Sequence, residues 1–148
     1  MFIVLLVCIA LLVVTAVIHY EALSALNANL PNLKMPSRAK LLVVISVTFL
    51  AHAVEIVAYG IALYLLVTHG VGGGLKGSYD FNLADCIYFS AETYTSIGFG
   101  DVTPFGAIRL LIGAEALNGL LLIGWSASYA FIAMERYWVP KGAAHGSH

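Results

Sequence analysis

The residues best able to do chemistry lie between positions 82 and 104, which read NLADCIYFSAETYTSIGFGDVTP. Two carboxyls, Glu92 and Asp101, bracket the run Thr95-Ser96-Ile97-Gly98-Phe99-Gly100. Gly98 and Gly100 alternate with apolar residues, and glycine accepts backbone conformations of either hand. A second group is Thr48, His52, Glu55 and Tyr59, whose spacings of 4, 3 and 4 put them on one face of a helix. His52 and Glu55 could hold a metal or respond to pH, or all four could be hydrogen-bonded packing. Glu115 and Asn118 occur later at similar helical spacing.

The elements that must position these groups follow from composition. Of 148 residues, 61% are apolar and 10% charged, with a net charge of −1. Soluble domains hold about 25% charged residues, so most soluble enzymes, coiled coils and disordered chains are excluded. The charge gives no case for a nucleic-acid partner. Cys8 and Cys86 stand 78 residues apart without metal-ligand spacing, which suggests neither a disulfide framework nor a zinc site. Apolar stretches run from Phe2 to about His19, from Leu41 to Val67 and from Ile108 to Met134. A bilayer span takes roughly 17–25 residues, and backbone in hydrocarbon must bond internally, so three transmembrane helices are predicted. No basic residue precedes Lys34, which argues against a cleaved leader in residues 1–25.

Expected boundaries are an N-terminal helix over 1–22, a basic cytoplasmic loop over 23–40, a third unit over 41–134 and a short cytoplasmic tail over 135–148. Within 41–134 the reading is a first helix over 41–67, a short helix over 83–94 capped by Asn82, the glycine-bearing run 95–101, and a last helix over 108–134. The short helix cannot cross a bilayer at about 1.5 Å per residue and is expected to be re-entrant. Gly72-Gly73-Gly74 reads as a flexible turn. Lys34, Arg38 and Lys40 in the first loop, with Arg136 and Lys141 near the end, place those segments in the cytoplasm and the N-terminus outside, in a plasma or inner membrane.

Residues Tyr88 to Asp101, YFSAETYTSIGFGD, resemble the pore of the bacterial two-helix potassium channels, WWSVETATTVGYGD, with seven of 14 positions identical. In potassium channels the TVGYG loop presents backbone carbonyls that take the place of the ion's water. The resemblance covers residues 41–134 and implies an all-α membrane protein forming a homotetrameric channel. It implies a filter in which the carbonyls of Ser96, Ile97, Gly98 and Phe99 replace the water of a potassium ion, with Thr95 and Gly100 at its ends. Ser96 Oγ would add the innermost ring, while Ile97 and Phe99 would point away from the ion. Glu92 and Asp101 would share a proton behind the filter, with Glu92 largely protonated and bracing Asp101. Tyr88 and Phe89 would stand for a tryptophan pair. No resident cofactor and no enzymatic activity are implied; partners are identical subunits, lipid and monovalent cations.

Two departures bear on selectivity: Ser96 replaces threonine and Phe99 replaces tyrosine, so a channel passing sodium and potassium alike is the alternative. A filter collapsed into a non-conducting scaffold is another. Gly119 is read as a hinge of the inner helix or a packing position, and Gly113 and Gly124 as packing positions. Asn118 is read as facing the cavity or bonding between helices. The 48–59 stripe is expected to face the third span, with Glu55 or Tyr59 touching Glu115 or Asn118. His52 and Glu55 also resemble one half of a di-metal site, but such sites need four carboxylates and two histidines on four helices. His19 and Glu21 are expected to be solvated at the inner interface, and the first helix to face lipid.

Overall fold

The computed structural model describes residues 1–77 and 81–138. Its order is α1 (Phe2–Asn29), a 3-10 turn (Leu30–Asn32), α2 (Ser37–Thr68), β1 (Gly73–Lys76), α3 (Leu83–Tyr94), β2 (Thr103–Gly106) and α4 (Ile108–Trp138). Three helical segments, Phe2–Asn32, Ser37–Thr68 and Ile108–Tyr137, are long and apolar enough to cross a membrane. With no water inside hydrocarbon, unbroken helices satisfy the backbone of such segments. The chain is an integral membrane protein built mostly of helices.

The helices outrun the expected boundaries. Residues 23–29, assigned to a loop, continue α1, because no proline intervenes before Pro31 and Leu23 and Leu26 remain buried at helical spacing. Only residues 33–36 lie between the 3-10 turn and α2, which starts directly after an extended Pro36. Similarly α4 continues past Met134 to Trp138. Hydropathy marks where lipid ends, while the helix ends where the backbone meets a breaker. The short helix keeps its expected bounds, and Asp85 N–H donates to the Asn82 side chain at 3.0 Å. Residues 139–148 of the expected tail lie outside the described residues.

The all-α expectation needs one amendment. Gly73 and Gly74 are not a turn: β1 pairs antiparallel with β2, Gly73 opposite Gly106 and Lys76 opposite Thr103. A glycine run carries no side-chain signal of its own, so its partner strand, some 30 residues on, decides its state. This ribbon joins the chain just before α3 to the chain just after the filter run, and so ties both ends of that segment together.

Two apolar clusters sit at the ends of the bundle. One gathers Val4, Tyr59, Leu63, Cys86, Phe89 and Leu111 around α3. The other gathers Leu23, Leu26, Leu30, Val44 and Ala133 where α1, α2 and α4 meet. Beyond the second cluster the cations collect: Lys40 Nζ donates to the Pro31 carbonyl at 3.1 Å and lies 5.0 Å from the Tyr137 ring, near Arg136. Helix α3 is wedged between α2 and α4 through missing side chains. A Cβ on Gly60 would stand 2.8 Å from Ile87 Cα, and one on Gly119 would stand 2.9 Å from the Tyr94 carbonyl carbon.

Candidate functional site: the filter run and the polar layer behind it

The run after α3 is a non-helical ribbon. Ser96, Gly98 and Gly100 have φ of 58°, 53° and 80°, while Ile97 and Phe99 between them do not have positive φ. Alternation of this kind is open to glycine at no steric cost, and Ser96 is the one non-glycine with positive φ among the described residues. It allows successive carbonyls to present toward one side, as cation coordination by backbone requires.

Helix α3 grips the ribbon from behind. The Ile97 and Gly98 N–H groups donate to the Glu92 carbonyl at 2.9 and 3.3 Å, and Ser96 N–H donates to the Thr93 carbonyl at 2.9 Å. The buried Glu92 side chain accepts from Phe99 N–H at 2.9 Å through Oε2, while its Oε1 has no hydrogen-bond partner among the described residues. Thr95 Oγ1 turns back to the Ala91 carbonyl at 2.7 Å. Thus Glu92 holds the backbone of the 95–101 run directly, and the expected pairing with Asp101 is corrected. Asp101 instead accepts from Tyr88 Oη at 3.2 Å and from Val102 N–H at 3.0 Å. Tyr88 stands between the two acids; partial desolvation, then the Asp101 and Glu92 charges, push its phenol up from the ordinary tyrosine value. Its ring stacks on Phe99 at 6.4 Å with an interplanar angle of 6°.

The outward side of the ribbon is bare. Ile97 is 59% exposed and Phe99 68%, and no atom lies within 4 Å of a Cβ built on Gly98 or Gly100. An open groove lined by Phe89, Thr93, Ser96, Ile112 and Ala116 runs beside it.

Behind α3, a polar layer separates the two apolar clusters. Tyr59 and Asn118 meet, Nδ2 to Oη at 3.3 Å, so the 48–59 stripe does reach α4 at this point. Asn118 Nδ2 also donates to Thr15 Oγ1 at 2.8 Å, and the residue is buried. Its amide bonds between helices, which corrects the cavity placement: the α1 hydroxyl is an available partner on its own face. Ser90 Oγ lies within hydrogen-bond reach of both the Glu115 carboxyl and the Ile56 carbonyl, the latter at 2.8 Å, with one proton to give. Thr48 bonds to its own helix, to the Val44 carbonyl at 2.9 Å.

Glu55 does not reach α4. It is fully buried and bonded by His19 Nδ1 at 3.0 Å, by His52 Nδ1 at 3.3 Å and by Tyr94 Oη. His19 is also fully buried, which overturns its expected solvation. The α1 helix is accordingly more than a lipid-facing ornament: Phe2, Ile3 and Ile9 remain exposed, but Thr15 and His19 face inward. The signal for this exists in the sequence, since Thr15 and His19 are polar residues four apart in an apolar span, on the same face as Cys8, Leu23 and Leu26. Sequence reasoning also misses Ser126 and Tyr94; each is a single polar group whose partner lies far along the chain.

Gly119 lies inside an uninterrupted α4 and is occupied by the approach of Tyr94, a packing use. A Cβ built on Gly113 or Gly124, read as packing positions, meets nothing within 4 Å in one chain.

A family model described as "Ion channel" matches residues 41–136. Over 40 residues the chain is 48% identical to Protein LctB of Bacillus caldotenax, and equally to Protein LctB of Geobacillus stearothermophilus. These matches cover 27% of this chain and 30% of each relative, so less than a third of the relatives' length is spanned. No solved structure matches. With α2, α3, the ribbon and most of α4 inside the matched range, the chain belongs to the ion channel family.

Proposed function

We propose that four copies of this chain form a cation channel, selective for potassium, that conducts by passive electrodiffusion through a backbone-carbonyl filter. The observation that carries the reading is the alternation of positive φ at Ser96, Gly98 and Gly100. In this reading the carbonyls of Ser96, Ile97, Gly98 and Phe99 replace the ion's hydration shell. One chain supplies a quarter of a ring, and cyclic symmetry closes it. The exposure of Ile97 and Phe99 supports this, since large apolar side chains beside an ion path need a wall. Helix α3 is re-entrant: its 12 residues, about 18 Å, are too few to cross. The cation-rich end carrying Lys34, Arg38, Lys40 and Arg136 faces the cytoplasm of a plasma or inner membrane, which puts the N-terminus and the filter mouth outside.

The test is ion flux into liposomes holding the purified protein, first with a potassium gradient and then with sodium. Flux with potassium alone is expected. Equal flux with both ions would assign Ser96 and Phe99 to a non-selective pore. No flux with either, in protein verified as assembled and with the channel driven over a range of voltage and pH, would overturn the conducting reading.

A further inference from the structure

We propose that His19, His52 and Glu55 form a buried binding site for a divalent transition-metal ion such as Zn2+, stapling α1 to α2 beside the residue that ends α3. The donor atoms of these three residues all lie within 4.8 Å of one another. His19 Nδ1 and His52 Nδ1 stand 3.0 and 3.3 Å from the two Glu55 oxygens. A tetrahedron with zinc bonds of about 2.0–2.1 Å has edges of roughly 3.3–3.4 Å; the two nitrogens each approach a different Glu55 oxygen, and an ion would draw donors within 4.8 Å of one another onto one coordination sphere. Tyr94 Oη, 2.8 Å from His52 Nδ1, stands where a fourth ligand would go. Glu55 and His19 are fully buried, and the His52 side chain is 18% exposed.

The hydrogen-bond count leaves room for a cation. Both Nε2 atoms, of His19 and His52, lie 3.0 Å from the same Ser126 Oγ. A neutral imidazole has one N–H. If both imidazoles point it at Glu55, two Nε2 lone pairs face one hydroxyl that owns one proton. If His52 turns its N–H to Ser126, its Nδ1 lone pair faces a carboxylate oxygen and the Tyr94 oxygen, and Tyr94 has one proton for both. Either way, with Glu55 ionised, the buried cluster is one positive charge short, which a proton on the Glu55 carboxyl or a bound metal ion would fill. A divalent ion on the Nδ1 and carboxylate side supplies it. Each imidazole then carries its proton on Nε2, and the Ser126 oxygen, with two lone pairs, accepts both. Metal-bound histidines donate their second nitrogen in this way, which fixes the ring orientation. The site involves no part of the filter and does not depend on which ion the channel passes.

The experiment uses the full chain in detergent micelles, stripped with a chelator and titrated with Co2+. The expected result is one Co2+ per chain with the intense visible absorption of tetrahedral cobalt, displaced by one equivalent of Zn2+. His19→Ala and Glu55→Gln should each remove that spectrum. His69→Ala, His145→Ala and His148→Ala, at the other three histidines, should retain it. Ser126→Ala keeps every ligand and should weaken binding by roughly 10–100-fold without abolishing it, the usual cost of removing a supporting partner. A folded wild-type chain that shows no tetrahedral cobalt spectrum overturns the proposal, and the cluster then shares an extra proton. A spectrum that survives His19→Ala overturns it too. If a ligand variant fails to fold, the wild-type spectrum and the Ser126→Ala shift decide.

Discussion

At the scale of single residues, the filter run depends on backbone conformations and on one carboxyl. Gly98 has φ 53° and a Cβ built on it meets nothing within 4 Å, so Gly98→Ala meets no clash in the chain but must hold a left-handed alanine. The expected outcome is loss of potassium flux with the assembly intact by gel filtration. Glu92 gives a sharper contrast. Glu92→Gln keeps an oxygen to accept from Phe99 N–H, whereas Glu92→Ala leaves that amide unpaired, a cost of about 1–3 kcal/mol where it is buried. Flux and thermal stability should fall in the alanine variant and largely persist in the glutamine one. Local chemistry of this kind was legible in the sequence: the Asn82 cap, the bounds of the short helix and the alternating glycines are all set within a few residues of chain. The role of His19 was not, because nothing near it in the chain states that Glu55 and Ser126 will arrive to bond it. The same holds for Glu92, whose partner proved to be a main-chain amide rather than the acid nine residues on.

At the scale of elements, α3 is seated by close approach on two sides. Gly119→Ala puts a methyl against the Tyr94 carbonyl, where backbone rather than a flexible side chain must yield. Overpacking of this kind costs about 1–3 kcal/mol. The expected result is a lower melting temperature and impaired flux, while Gly113→Ala and Gly124→Ala, facing open space in one chain, should leave the monomer fold unchanged. Helix existence was plain from apolar length. Helix ends were not, because the last turns of α1 and the first of α2 are polar enough to resemble a loop yet bury Leu26, Leu30 and Val44. The ribbon of β1 and β2 was invisible for a different reason: Gly73 and Pro104 are poor strand residues, and only their pairing across the filter segment makes them one.

At the scale of the whole molecule, an apolar surface rings the helices as lipid demands, and a bare filter edge stands apart from it. Phe99 and Ile97 should become protected once copies assemble. Native mass spectrometry from detergent should give a mass four times that of the 15.8 kDa chain, and a dimer as the largest species would sink the four-fold ring. Labelling of Lys34→Cys by a membrane-impermeant reagent is expected only after the cytoplasmic face is opened.

The polar layer between the two apolar clusters also bears on how the helices settle against one another. Lipid tails are as apolar as leucine, so helices joined by apolar contact alone gain little from one axial alignment over the next. Sliding α1 by one turn, about 5.4 Å, would carry Thr15 away from Asn118 and His19 away from Glu55 and Ser126, stranding polar groups in hydrocarbon. The layer therefore works as a key with one notch: greasy cylinders that could otherwise shift past each other lock at a single height.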